Sequence, residues 1–346
     1  MPSSRTESIP SPDQSNGKAT TRHHRPLGGD TARNTRSSAI VDLSEKVLNN
    51  ATTSHLTQPR KPSWIRAKLP GGAGYEKMRD NMQKHGLSTV CQEASCPNIA
   101  DCWSRGTATI MILGDICTRS CGFCNVRTGK PLPPDYDEPV NVGKSVALMG
   151  LKHIVITCVD RDDLADGGAE IWADTIKETH LQAPNTSVEV LVGDFGGDRK
   201  ALQTVIEAKP EILAHNIETV PRMHRAVRPQ ARYDRSMGVL KQIRDAGLVS
   251  KTGIMVGIGE TDVEVVSLLE DIQKKAQTEI ITIGQYLQPS RNHLPVDRWV
   301  HPDQFKEYER IGLELGFRVV ESGPLVRSSY HAEEQVVLLE SRKQAE

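Results

Sequence analysis

From Trp64 onward, two hydrophobic rhythms alternate along the chain. Short runs dense in β-branched residues predict strands at Thr109–Leu113, His153–Thr157, Ser187–Val192, Ile212–His215, Thr252–Val256, Glu279–Gly284 and Arg318–Glu321. Between them, apolar positions recur at three- and four-residue spacing. That pattern predicts helices over Val142–Met149, Ala169–Thr179, Asp198–Ala208, Tyr233–Ala246, Asp262–Ala276 and Pro302–Leu315. Several ends carry their own signals. Asp198 precedes the pattern of Leu202, Val205 and Ile206, and Pro210 follows its end. Thr261 with Glu264 three residues later forms a capping box ahead of an apolar stripe. Gly247 after Ala246 suits a left-handed helix end.

Nearly continuous apolar strands separated by helices mean repeated β-α units and a parallel sheet. An open Rossmann-like sheet and a full or partial (β/α) barrel both satisfy this pattern. In either, chemistry gathers at the C-terminal ends of strands. Polar residues do collect there: Cys117 after the first strand, Asp160 to Gly168 after the second, and Asp194 after the third. Asn216 and Glu218 follow the fourth, Gln285 the sixth, and Arg327 to Tyr330 the seventh.

Residues 1–62 break the rhythm. They hold no Phe, Trp, Tyr or Cys, and carry nine basic and five acidic residues. So little apolar surface predicts a disordered or wrapping extension, with a short helix only at Ala39–Leu48. A mitochondrial transit peptide is Ser- and Arg-rich but poor in acids, so five acids favour a cytoplasmic protein over an imported one. Residues 63–346 then make one barrel-sized catalytic domain. Over the whole chain Lys+Arg is 43 and Asp+Glu is 44. That balance leaves no basic footprint for nucleic acid, and no apolar run of about 18 residues exists to cross a membrane.

Cysteine placement narrows the function. Six of the seven cysteines fall between residues 91 and 124, as Cys91-x4-Cys96-x5-Cys102 and Cys117-x3-Cys121-x2-Cys124; Cys158 stands apart. Structural zinc takes four ligands, typically as two close pairs. Three thiolates on one short loop, twice over, suit iron–sulfur cubanes with one iron left for another ligand. A plain electron carrier would fill all four positions with cysteine. A zinc nucleic-acid binder would carry basic residues beside its cysteines, yet residues 91–124 hold only Arg105 and Arg119 against Glu93, Asp101 and Asp115.

The second triad, with Phe123 just before its last cysteine, resembles the signature of radical S-adenosylmethionine enzymes. The first triad resembles that of the lipoyl synthase family within that superfamily. Gly114–Asn125 (GDICTRSCGFCN), Asp160–Gly168 (DRDDLADGG), His215–Pro221 (HNIETVP), Val227–Tyr233 (VRPQARY), Gly257–Thr261 (GIGET), Gln285–His293 (QYLQPSRNH) and Arg327–His331 (RSSYH) agree with the same family. The resemblance runs from about Lys61 to near the C-terminus. It implies an α/β fold, a partial (β/α)6 TIM-like barrel, with residues 63–106 forming an auxiliary-cluster region, 107–320 the barrel and 321–346 a closing segment.

By the same resemblance, Cys117, Cys121 and Cys124 would bind a [4Fe–4S] cluster whose open iron chelates S-adenosylmethionine. Cys91, Cys96 and Cys102 would bind an auxiliary [4Fe–4S] cluster, with Ser329, or less favourably Ser328, as the fourth ligand. Phe123, Gly167, Gly168, Asn216 and Glu218 would line the cosubstrate. The implied reaction inserts two sulfur atoms at carbons 6 and 8 of a protein-bound octanoyl-lysine. The implied partners are octanoylated carrier domains (2-oxoacid dehydrogenase E2, glycine cleavage H protein), a reduced ferredoxin or flavodoxin-type donor and an iron–sulfur carrier.

Plainer readings stand beside these. Phe123 could simply pack in a loop, Gly167-Gly168 could be turn residues, and Asn216 and Glu218 could make local turn bonds. Ser328-Ser329 could cap a helix, and Cys158 reads as a small buried hydrophobe. Gly257-x-Gly259 is a weak phosphate-loop signal. A biotin-synthase-like or methylthiotransferase activity is the nearest alternative among radical enzymes.

Overall fold

All seven of the predicted strand runs pair side by side in one parallel array. The computed structural model describes residues 109–335 throughout and, before them, residues 60–66, 71, 76, 79, 80, 88, 89, 96 and 98–104. The Ala39–Leu48 helix and most of the 1–62 extension lie outside the described residues.

Among the described residues the parallel strands are β2 (Thr109–Ile112), β5 (His153–Cys158), β6 (Ser187–Leu191), β7 (Ile212–Ala214), β8 (Val249–Val256), β9 (Ile280–Gln285) and β10 (Val319–Gly323). Short β1 (Ser88–Thr89) joins antiparallel at the β2 edge, Ser88 opposite Met111. A separate pair, β3 (Ile116–Cys117) and β4 (Arg127–Thr128), sits just past β2. The helices are α1 (Ile99–Ser104), α2 (Glu138–Met149), α3 (Ala169–Gln182), α4 (Arg199–Glu207), α5 (His224–Val227), α6 (Tyr233–Asp245), α7 (Asp262–Ala276) and α8 (Pro302–Leu315). None of them is long and apolar enough to cross a membrane.

Strand order decides between the two architectures left open by the sequence. It runs β1-β2-β5-β6-β7-β8-β9-β10, following the chain. Right-handed crossovers in constant direction place every connecting helix on one face. A doubly wound Rossmann sheet must instead reverse at a switch point. The sheet is therefore a singly wound barrel wall, and β10 pairs with β9 without returning to β2, so the barrel is partial.

The two faces differ as strand alternation requires. On the helix side, Ile110, Ile112, Ile154, Ile156, Val188 and Val190 pack with Val142 and Val146 of α2 and Trp172 and Ile176 of α3. Ile254, Val256, Ile281 and Ile283 pack likewise with Leu268, Leu269 and Ile272 of α7 and Phe305 and Tyr308 of α8. The opposite face has only a small apolar plug, Ile212, Ile280 and Val319, with Val249 against it. Beside the plug this inner face is polar. Lys251 Nζ donates to both Glu189 oxygens at 2.7 and 3.0 Å, and His153 Nε2 lies 3.5 Å from the same carboxylate, all three buried. Burial opposes the charge on Glu189, but Lys251 and His153 outweigh it and hold the carboxyl below its usual range. Toward the C-terminal strand ends the inner positions shrink to Ala214, Gly253, Gly284 and Gly323. That opens a lumen where ligands of such barrels bind.

Most boundaries agree with the sequence rhythm to within a few residues. β8 begins at Val249 rather than Thr252, because Ser250 and Lys251 interrupt the apolar run yet are buried. Helix α2 begins at Glu138 rather than Val142, with Pro139 in its first turn, where a missing N–H costs nothing. The Thr261–Glu264 capping box is formed, Thr261 Oγ1 accepting from the Glu264 N–H at 3.3 Å and Glu264 accepting from the Thr261 N–H at 2.9 Å.

The inner ion pair is open to a direct test. Lys251→Ala leaves Glu189 buried and charged without its main partner, and should lower stability by about 3–5 kcal/mol. The double variant Lys251→Met/Glu189→Leu should recover most of that loss, as read from urea-denaturation midpoints.

Candidate metal centre

The cysteine loop grows directly from the end of β2. Leu113 turns the chain with φ of 68°, its N–H donating to Glu138 Oε2 at 2.8 Å. The chain then enters β3, and pairing of β3 with β4 closes a loop containing Cys117, Cys121 and Cys124. Two later segments grip that loop. Gly122 donates to the Val227 carbonyl at 2.9 Å, Leu294 donates to the Gly122 carbonyl at 3.0 Å, and His293 Nε2 donates to the Cys124 carbonyl at 2.9 Å.

Arg119, between the first two cysteines, anchors the loop to the barrel. Its guanidinium meets Asp162 at 2.6 Å, Asp194 at 2.7 Å and Asp160 at 3.4 Å, three carboxylates at the ends of β5 and β6. Its side chain is only 3% exposed. Burial alone would weaken the Arg119 charge, but the three partners outweigh it and push its pKa up. The carboxylates respond differently. The hydrogen bonds from Arg119 hold Asp162 below the usual range. Burial opposes the Asp194 charge, yet Arg119, His215 and Arg235 together keep it low. Asp160 is pushed up, since burial there exceeds the help from Arg119.

The three thiols share one electrostatic environment. Cys117 Sγ accepts the N–H of Arg119 at 3.4 Å and that of Asp160 at 3.3 Å. Burial pushes the Cys117 thiol up to about 11, with Asp160 and Cys124 adding to it. Burial pushes Cys121 up to about 12, opposed by Arg228 and reinforced by Cys124 and Cys117. Cys124 is raised as well, by burial first and then by Glu218 and Asp160. These groups fit a buried iron–sulfur cluster, whose cationic core would hold as thiolates the thiols that resist ionising alone, with backbone donors aimed at sulfur. Among the described residues no three His, Cys, Asp or Glu side chains converge as on one metal ion.

The other expected residues border the same end of the barrel. Asn216 Nδ2 donates to Glu218 Oε1 at 3.0 Å, while Asn216 Oδ1 is buried without a hydrogen-bond partner among the described residues. Burial pushes the Glu218 carboxyl up, opposed by Arg228, Asn216 and Arg327. Arg228 donates to the Asn216 carbonyl at 2.7 Å. Phe123 packs against the apolar cluster on the α7 side. Gly167 and Gly168 both have positive φ, and a Cβ would lie 3.1 Å from Phe195 at the first and 2.6 Å from Leu113 at the second. Packing thus requires both glycines, whatever else they meet. Gly257-x-Gly259 is not a phosphate loop, since Glu260 accepts the Gly257 and Ile258 N–H groups at 2.6 and 3.0 Å. Cys158 packs against the core, as a small hydrophobe would.

Of the first triad, Cys91 lies outside the described residues. Cys96 and Cys102 flank the start and end of α1, where Cys102 donates to the Asn98 carbonyl at 2.9 Å. Asn98 Nδ2 donates to the Leu325 carbonyl at 2.6 Å, tying this region to the C-terminal turn 227 residues away. Ser328 and Ser329 lie in the next turn, from Arg327 to Tyr330, half-buried, and helical residues begin only at Ala332. Neither serine is adjacent to a helix start, which removes the capping explanation. Burial raises the Cys96 thiol, with Asn98 and Arg327 opposing.

Sequence reasoning missed the arginines. Arg119, Arg228 and Arg327 all lie in stretches with a family resemblance, but what each meets is set by the fold: carboxylates for Arg119, and backbone carbonyls for Arg228 and Arg327. The Asp160-Arg161-Asp162-Asp163 run was the available signal: so many acids at one strand end need a buried cation.

A partial parallel barrel with a three-cysteine loop after its first main strand defines the radical S-adenosylmethionine class, and the Radical SAM superfamily model matches residues 111–272. A model of the N-terminal domain of lipoyl synthase matches residues 23–96, reaching into the segment expected to be an extension. The chain is 52% identical over 290 residues to the mitochondrial lipoyl synthase of Nematostella vectensis, covering 83% of this chain and 99% of that one. It is 52% identical over 277 residues to the lipoyl synthase of the bacterium Christiangramia forsetii, covering 80% and 94%. A solved structure of Streptococcus suis SuiB bound to S-adenosylmethionine aligns with a TM-score of 0.49 at 9% identity, over 82% of this chain and 61% of that one. The chain belongs to the lipoyl synthase family. Its reaction is the radical insertion of two sulfur atoms into a protein-bound octanoyl-lysine, with S-adenosylmethionine and two [4Fe–4S] clusters.

Arg119→Met should release the cysteine loop from three carboxylates. Iron content after anaerobic reconstitution should fall from about eight to about four per chain, with cosubstrate cleavage lost; retention of about eight would contradict the anchor.

Proposed function

We propose that Cys117, Cys121 and Cys124 hold the radical-generating cluster, and that Cys91, Cys96, Cys102 and Ser329 hold the cluster that gives up sulfur. The observation that carries this division is the Asn98–Leu325 hydrogen bond, which brings the first-triad region to the serine-bearing turn. When bound, the first cluster with S-adenosylmethionine supplies a 5′-deoxyadenosyl radical, and the second supplies sulfur. An aliphatic C–H bond has no acidic proton for a base to take, so the chain's own residues bind, orient and exclude water. Asn216 Oδ1, buried and lacking a donor, and the raised Glu218 carboxyl suit ribose hydroxyls. Phe123 offers an apolar face for adenine. The backbone at Gly167-Gly168 borders the methionine end. A serine oxygen is a harder ligand than thiolate, which suits a cluster that must come apart.

On this reading residues 63–106 form the auxiliary region, 107–320 the barrel and 321–346 the closing segment. The protein substrate is an octanoylated lipoyl carrier, either the E2 component of 2-oxoacid dehydrogenases or the glycine cleavage H protein. A ferredoxin or flavodoxin-type donor supplies electrons, and an iron–sulfur carrier restores the consumed cluster.

Two variants separate the sites. Given reductant, S-adenosylmethionine and an octanoyl-lysyl peptide, Cys121→Ala should form no 5′-deoxyadenosine. Cys96→Ala and Ser329→Ala should still form some while making no lipoyl product. Equal loss of cleavage in all three, with folding intact by circular dichroism, would reject the division.

A further inference from the structure

Arg327 is a cation without an assigned partner. It opens the serine-bearing turn, its carbonyl accepting the Tyr330 N–H at 2.9 Å. Its place is set by Gly284 of β9, where a Cβ would stand 2.1 Å from the Val326 carbonyl oxygen and 3.2 Å from Arg327 Nη1. The guanidinium therefore lies over the inner face of the barrel wall. It carries five N–H donors, yet its one acceptor among the described residues is the adjacent Val326 carbonyl, 2.6 Å from Nη1. No carboxylate of the described residues stands within ion-pair distance of it. Burial opposes its charge, and Cys96 and Glu218 are the groups that favour it. Glu218 in turn acts on Cys124. Leu325, two residues before Arg327, accepts from Asn98 at 2.6 Å, so a cation with most of its donors uncommitted belongs to the segment that meets the Cys96–Cys102 region.

We infer that Arg327 tunes the auxiliary cluster, offsetting its negative charge and donating to its ligands or sulfurs, and so raises its reduction potential. This role rests on the proposal that Cys91, Cys96, Cys102 and Ser329 hold that cluster. Three thiolates and a serine oxygen give an oxidised cubane net negative charge, and adding an electron deepens it. A nearby guanidinium favours the reduced form, because cluster potential follows net charge and hydrogen bonding at sulfur. Lysine keeps the charge without the planar fork.

The test is a redox titration followed by electron paramagnetic resonance. Arg327→Gln and Arg327→Lys are made in the full chain, and again in a chain carrying Cys117→Ala, Cys121→Ala and Cys124→Ala, which isolates the auxiliary site. About four irons per chain in the isolating background establish that the site loads. There, Gln should move the midpoint to more negative potential, and Lys should restore most of the shift. In the full chain the signal from the second triad should move less than the auxiliary signal, an internal reference. An auxiliary midpoint unchanged by Gln overturns the role, as does an equal shift of both signals. Should the Gln variant fail to load, loading restored by Lys supports the charge role and loading lost in both overturns it. No iron in the isolating background with Arg327 intact overturns the site assignment itself, and the tuning role with it.

Discussion

The arrangement depends on one buried guanidinium. Arg119 lies inside the cysteine loop and meets carboxylates from the ends of two different strands. Neither half is stable alone. Three carboxylates gathered at a strand edge would repel one another and protonate, and a bare guanidinium in the core would be too costly to bury. Together they convert a flexible loop into an extension of the barrel wall. The cysteines on either side of Arg119 inherit that rigidity, as any site built from several ligands requires.

The barrel serves the site by what its inner face omits. Helix-side positions are filled with isoleucine, valine and leucine, so the wall is held from outside. Inside, the apolar plug is small, and beside it Lys251 donates to Glu189, with His153 close to the same carboxylate. Glycine and alanine then occupy the upper inner positions. The volume saved there is taken up by the Val326–Arg327 backbone and by the lumen. An all-apolar interior would be more stable, but it would leave no room for a cosubstrate and an acyl chain.

Periodicity made the wall legible, since β-branched runs and helical stripes both derive from local geometry. Its curvature was not legible: the rhythm allowed a doubly wound sheet, and only the strand order excludes one. Cysteine spacing likewise showed that two clusters were in play, because ligand spacing is itself local information. Arg119 escaped notice because its carboxylate partner Asp162 lies 43 residues away in the sequence. Lys251 hid strand β8's true start for a related reason: a charged residue reads as exposed until its buried partner is known. Gly257-x-Gly259 erred in the opposite direction, its N–H groups being already taken by Glu260.

Chain topology explains why the serine-bearing segment meets the first-triad region from so far along the sequence. The first-triad region precedes β2, at one edge of an open sheet, and the last strand, β10, forms the other edge. In a partial barrel those edges curve toward each other without pairing, and something must bridge them. The turn after β10 does so, reaching Asn98 through Leu325. A cluster ligated from both sides would add a second, metal-dependent clasp across the same gap. On the proposed ligation, loss of that cluster would remove the second clasp and leave the Asn98–Leu325 hydrogen bond to hold the gap.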